Sequence, residues 1–158
     1  MKLGLEGKVA LITGSSRGIG RAIAEALAAE GCGIMLTGRD AAALEESARA
    51  IAALGGKCDT HLAELREETA PAALVEAVKR DFGRLDILVN NAGATKRGDF
   101  LALTDADWQD GFALKFFAHM RLVRAPRSRR EWPASARWLG DRRSRSVSCR
   151  TRSVGAAS

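Results

Sequence analysis

Apolar residues fall along the first 125 positions in short continuous runs that alternate with stretches where they recur every three or four residues. The first run, Val9-Ala10-Leu11-Ile12, ends at Thr13-Gly14 and suits a strand buried on both faces, as in a parallel sheet. After a glycine-rich turn, Ile19, Ile23, Ala26 and Leu27 keep helical spacing, with Gly31 as the stop. Gly33-Ile34-Met35-Leu36 reads as a second strand, followed by Asp40 as the N-cap of a helix with Leu44, Ala48 and Ile51 on one face. That helix ends at Gly55-Gly56, and a weaker strand follows near Lys57–Leu62. Thr69 opens a third helix with Pro71 in its first turn, a Leu74, Val78 and Phe82 stripe, and a stop at Gly83. Leu85-Asp86-Ile87-Leu88-Val89 forms the fourth strand and runs into Asn90-Asn91-Ala92-Gly93. Thr104 and Asp107 have capping-box spacing, with Leu103 and Trp108 at staple positions, and the helix they open extends to about Leu122. The βαβαβαβα order predicts right-handed crossovers and an α/β fold, a Rossmann-like doubly wound parallel sheet of about four strands and four helices.

This patterning stops near residue 125. From Pro126-Arg127-Ser128-Arg129-Arg130 onward no apolar periodicity continues the sheet, and Val147 and Val154 are isolated. Too little apolar surface is on offer to offset the ordering of the backbone, so disorder is expected over 126–158. The charge divides at the same place. Residues 1–120 carry 14 Lys+Arg against 17 Asp+Glu, whereas residues 121–158 carry 11 arginines, no lysine, one Glu and one Asp. The net charge of +6 therefore belongs to the tail alone. Cys32, Cys58 and Cys149 are too few and too scattered for a disulfide framework, and no ligand spacing for a structural metal exists. Without a signal-like segment or a span of about 18 apolar residues, the expected setting is the cytoplasm, with no membrane partner. His61 and His119 are expected on a strand surface and a helix surface.

The candidate chemistry lies in Thr13-Gly14-Ser15-Ser16-Arg17-Gly18-Ile19-Gly20, between a predicted strand and a predicted helix. A helix N-terminus offers free N–H groups and a positive dipole end to a pyrophosphate, and the glycines permit a tight turn and a close backbone approach. The alternative is a purely structural βα turn. The spacing is GxxxGxG, and together with Asn90-Asn91-Ala92-Gly93 it strongly resembles the short-chain dehydrogenase/reductase family over about residues 5–125.

The resemblance implies that 1–125 is a dinucleotide-binding half-domain with pyridine nucleotide as its partner. It places Gly14, Ser16, Arg17, Gly18, Ile19 and Gly20 at the cofactor's phosphates and ribose, and Asn91-Ala92-Gly93 against the adenosine ribose. Asn90 can equally be a simple turn residue after the strand. Where NAD-preferring members carry an acidic residue, this chain has Gly38 followed by Arg39. Arg17 and Arg39 together would favour NADP over NAD through charge-assisted contacts to a 2′-phosphate, the alternative being two solvated surface charges. Ala63-Glu64-Leu65 stands where the family usually has aspartate beside the adenine, and Lys115 stands where it usually has a catalytic asparagine. Lysine cannot both donate and accept as an amide does, so that asparagine's role does not transfer.

The family's oxidoreductase chemistry on a carbonyl or alcohol substrate also needs Ser, Tyr and Lys, the last two as Tyr-x-x-x-Lys. This chain has no tyrosine and Lys115 is its last lysine, so no catalytic residue is assigned. The codons for Arg137-Trp138-Leu139-Gly140-Asp141, read one nucleotide later, can encode Ala-Gly-Ser-Val-Ile, close to the start of the family's fifth strand. The expectation is a truncated or frame-shifted member, inactive as written, whose fourth strand is left as an exposed sheet edge prone to aggregation. The alternatives are a non-catalytic nucleotide-binding protein, or nucleic-acid binding through the Arg-rich tail with Trp132 and Trp138 as its only aromatics. Nothing in these residues indicates the small-molecule substrate or the oligomeric state.

Overall fold

The computed structural model describes residues 3–126; the expected disorder of the tail lies outside the described residues. Four strands, β1 (Val9–Thr13), β2 (Gly33–Gly38), β3 (Cys58–Leu62) and β4 (Ile87–Val89), form one parallel sheet in the order β3-β2-β1-β4. Helices α1 (Gly18–Ala29), α2 (Ala41–Ala53) and α3 (Ala70–Phe82) connect them. After β4 the chain makes a short 3₁₀ turn (Phe100–Ala102), then α4 (Asp105–Phe112), a π-helical turn (Ala113–Phe117) and α5 (Ala118–Arg124).

Alternation along each strand divides the core between the two faces of the sheet. Ala10, Ile12, Ile34 and Leu36 point towards α1 and α2, where Ala24, Ala28, Leu44 and Ile51 meet them. Val9, Leu11 and Met35 point the other way, onto Leu74, Val75 and Val78 of α3 and Ala118 and Leu122 of α5. Each face is thus covered by a helix pair, which is the doubly wound arrangement the patterning predicts.

Local signals place most element ends. The Asp40 side chain accepts from the Ala43 N–H at the start of α2, and Gly83 closes α3 in the left-handed region (φ +75°). Thr104 and Asp107 form the expected capping box. Trp108 packs edge-on against Phe100 of the 3₁₀ turn, with ring centroids 5.6 Å apart.

Two expectations are corrected. The buried face of α1 is Gly20, Ala24 and Ala28, flanked by half-buried Ile23 and Leu27, while Ile19 is 73% exposed and Ala26 is exposed. The helix lies so close to the sheet that its smallest residues, not its largest, mark the contact. β4 is also shorter than the apolar run that encodes it. Asp86 falls outside the strand because its carboxylate accepts the Val9 N–H at 2.9 Å while also pairing with Arg84. β4 forms an edge of this sheet, and Ile87, Leu88 and Val89 are each only half-buried.

Candidate functional site

Parallel pairing brings the carboxyl ends of all four strands to one side of the sheet, with Thr13 beside Thr37, Gly38 beside Leu62 and Ile12 beside Val89. The strand order reverses direction around β1, and a crevice opens there between the loops that follow the strands. A cleft of about 440 Å³ occupies this place.

The floor is held by threonine and serine hydroxyls that are fully buried and hydrogen-bonded. The Thr13 hydroxyl donates to the Val89 carbonyl and accepts the N–H groups of Asn91 and Ala92, each at 2.9 Å. The Ser15 hydroxyl donates to the Ile12 carbonyl and accepts the Thr37 N–H. Thr37 in turn donates to the His61 carbonyl at 2.6 Å, which links the ends of β2 and β3. Asn91 completes the link from β4 to β1, its side-chain amide donating to the carbonyls of Thr13 and Gly14 at 2.9 and 3.1 Å. These bonds tie three loops together without occupying the cleft itself.

Nine of the twelve predicted site residues line this cleft: Gly14, Ser16, Arg17, Arg39, Glu64, Leu65, Asn91, Ala92 and Gly93. The other three, Gly18, Ile19 and Gly20, sit in the first turn of α1 beside it. Gly18 has a left-handed φ of +59° with open space around it, and Ile19 is exposed. Gly20 lies beneath Gly14, where any Cβ would run into the Gly14 carbonyl oxygen. Arg17 occupies the N-cap position of α1 in an extended conformation and makes no side-chain cap, so that helix end is not satisfied by its own side chain. Asn90 differs from its neighbour, since its amide oxygen is buried with no hydrogen-bond partner among the described residues.

Charge is organised along the far wall. Glu64 accepts from the Arg39 guanidinium at 3.1 Å through one oxygen, and from the Arg66 backbone N–H and guanidinium at 3.1 and 3.3 Å through the other. Arg66 turns the rest of its fork onto Asp110 of α4, at 2.6 and 2.9 Å. Partial burial pushes the Glu64 carboxyl up, but the Arg66 N–H and the two guanidiniums outweigh it and hold it below the usual carboxylate range. Asp110 is held low by Arg66, and Arg66 is raised chiefly by Asp110. Arg17 has no ion pair among the described residues, and Asp40, also in the wall, has its carboxylate engaged as the α2 cap.

Several residues here were not legible beforehand. Arg66 and Asp110 are 44 positions apart, and nothing in a single sequence pairs them. His119 is not simply a helix-surface residue: its Nε2 lies 3.0 Å from the Ala92 carbonyl oxygen and it is half-buried. Lys115, from the π-helical turn, lays its side chain over Gly93, so that a Cβ there would lie 3.2 Å from the lysine Cε. The one available hint was the spacing of these two on a single helix, Lys115 and His119 being four residues apart.

Comparison with known proteins gives a consistent picture. The short chain dehydrogenase family model matches residues 8–128. A 3-oxoacyl-[acyl-carrier-protein] reductase of Haemophilus influenzae is 43% identical over 107 residues, which cover 67% of this chain and 43% of that protein. A metagenomic short-chain oxidoreductase solved in complex with NADP superposes with a TM-score of 0.72 at 40% identity, over 76% of this chain and 55% of that one. L-Sorbose reductase from Gluconobacter frateurii, solved with NADPH and L-sorbose, gives 0.75 at 40% identity, over 79% of this chain and 48% of that one. The chain thus spans about half the length of the proteins it resembles.

Proposed function

The chain belongs to the short-chain dehydrogenase family, and from that premise we propose that residues 1–125 bind NADP through the cleft at the carboxyl ends of the strands, while the chain as written does not carry out the family's reaction. The observation that carries this reading is the convergence of nine predicted residues from four separate loops on one crevice. Two relatives solved with NADP or NADPH support the choice of nucleotide.

The residues present fit such a ligand. Gly14 and Gly20 let the turn after β1, the first turn of α1 and the segment after β4 pack against one another with no room for a side chain, which seats the α1 N-terminus at the cleft for a phosphate. Arg17 and Arg39 supply guanidiniums for the 2′-phosphate that separates NADP from NAD. Glu64 and Leu65 face the adenine, and Asn91, Ala92 and Gly93 carry the adenosine ribose. Gly18 and Ile19 border the phosphates from the first turn of α1. Bound cofactor would supply hydride chemistry at its nicotinamide end.

This chain offers no residue in the role of the family's proton donor. None of its 158 residues is a tyrosine, and Lys115, the last lysine, covers Gly93 from where the resemblance expects an amide. Residues 126–158 form the separate Arg/Ser-rich segment whose composition suits a reading frame displaced by one nucleotide. The family's activity, an NAD(P)-dependent oxidoreduction of a carbonyl or alcohol substrate, then belongs to an intact form of the protein.

Calorimetric titration of the full chain with NADP and with NAD tests the binding half of the proposal, the expected result being heat of binding with NADP and a weaker response to NAD. No binding of either would overturn it. Consumption of NADPH by the purified chain with a panel of ketones would overturn the inactive half. The coding DNA from codon 115 onward decides the frame, since a shifted frame without Tyr-x-x-x-Lys removes that explanation.

A further inference from the structure

The wall of the cleft holds an anion of its own. Arg39, the residue positioned to recognise a 2′-phosphate, is already paired with Glu64 at 3.1 Å. Glu64 is not a loose surface partner, because its second oxygen is fixed by two donors of Arg66. Arg66 is itself anchored by a two-point contact with Asp110, on a helix from the other end of the described chain. The order Asp110, Arg66, Glu64, Arg39 is therefore a chain of alternating charge running from α4 to the mouth of the nucleotide cleft.

From this arrangement we infer that Glu64 is a specificity-determining residue, an internal anion that occupies Arg39 until a 2′-phosphate displaces it, with Arg66 and Asp110 as the positioning residues that hold it there. This inference rests on the nucleotide-binding reading above and deepens it. Both anions call on one guanidinium, which has five N–H donors but presents them in one plane. Arg17 carries no ion pair among the described residues, so it can meet a phosphate without losing a contact, whereas Arg39 must exchange one. A ligand lacking the 2′-phosphate leaves the Glu64–Arg39 pair intact. Discrimination against NAD is accordingly smaller than two arginines would produce alone.

Equilibrium binding of 2′,5′-ADP and of 5′-AMP to the full chain isolates this effect, since the two probes differ only at the 2′ position. In Glu64→Gln, the ratio of 2′,5′-ADP affinity to 5′-AMP affinity is expected to rise about two- to five-fold, in line with removal of one exposed competing ion pair, and the ratio cancels any change at the adenine, which both probes share. The gain should vanish when Glu64→Gln is combined with Arg39→Gln. Asp110→Asn serves as a second variant distant from the nucleotide: it should change the 2′,5′-ADP affinity and not the 5′-AMP affinity. An unchanged or lowered ratio in Glu64→Gln, with both probes still bound, would overturn this inference alone. Failure of both probes to bind the unsubstituted chain would overturn the nucleotide-binding proposal and this inference with it.

Discussion

Gly20 sits directly beneath Gly14: a Cβ at position 20 would collide with the Gly14 carbonyl oxygen and lie 2.5 Å from the Asn91 side-chain nitrogen. The first turn of α1, the turn after β1 and the segment after β4 therefore meet with no room for one extra carbon. This contact sets how deeply α1 seats against the sheet, and hence where its N-terminus faces the cleft.

Gly20→Ala is expected to destabilise the chain by about 1–3 kcal/mol, the usual cost of overpacking against backbone, and to abolish nucleotide binding. Thermal denaturation and calorimetry measure the two effects. Ala24→Gly, one turn further along the buried face, should cost stability without removing binding, which separates loss of the site from loss of the fold.

Reversing the charge at Arg39 should lower NADP affinity by roughly tenfold and leave NAD affinity nearly unchanged, because the 2′-phosphate is the only group in which the ligands differ. Direct binding titrations check this. Equal discrimination before and after Arg39→Glu would remove Arg39 from the recognition of the phosphate.

Asp86 supports the edge of the sheet through the Val9 N–H, 77 residues away in sequence, and through Arg84. Burial pushes its carboxyl up, but the Arg84 guanidinium and the Val9 N–H prevail and hold it below the ordinary value. A carboxyl lowered by folding stabilises the native state above the unfolded pKa, and that contribution is lost as pH falls through the folded one. The stability difference between the unsubstituted chain and Asp86→Asn should be about 1 kcal/mol at pH 7, begin to shrink near about pH 4 and disappear below it. Denaturant melts across this range measure the difference; a gap independent of pH would contradict the assignment.

Trp108, Phe112, Phe116 and Met120 recur every four residues from α4 to α5, and all four are more than 40% exposed. Together they form an exposed apolar stripe along these helices. Replacing Phe112 and Phe116 with lysine should reduce concentration-dependent self-association, as followed by light scattering, while changing thermal stability by less than about 1 kcal/mol.

The elements of this fold were legible because they are encoded at short range. A run such as Val9–Ile12, a cap such as Asp40 on Ala43, or the reciprocal pair of Thr104 and Asp107 needs only residues a few positions apart. The glycine-rich turn and Asn91-Ala92-Gly93 were readable for the same reason, as motifs attached to the ends of strands. The sequence by itself determined the α/β class, the parallel order of elements, the family and most of the cleft's lining. It also located the basic charge in the final segment and the absence of tyrosine. Tertiary structure decided which face of α1 is buried, since Gly20, Ala24 and Ala28 mark it only through the distance between helix and sheet. It alone joined Arg66 to Asp110, Asp86 to Val9 and His119 to Ala92, contacts whose partners lie between 27 and 77 residues apart. Periodicity carries no information on such pairs, because long-range ion pairs and hydrogen bonds depend on where loops arrive in space. For that reason Arg39 read in the sequence as a contact for a 2′-phosphate or a solvated surface charge, while in the structure it holds the Glu64 carboxylate.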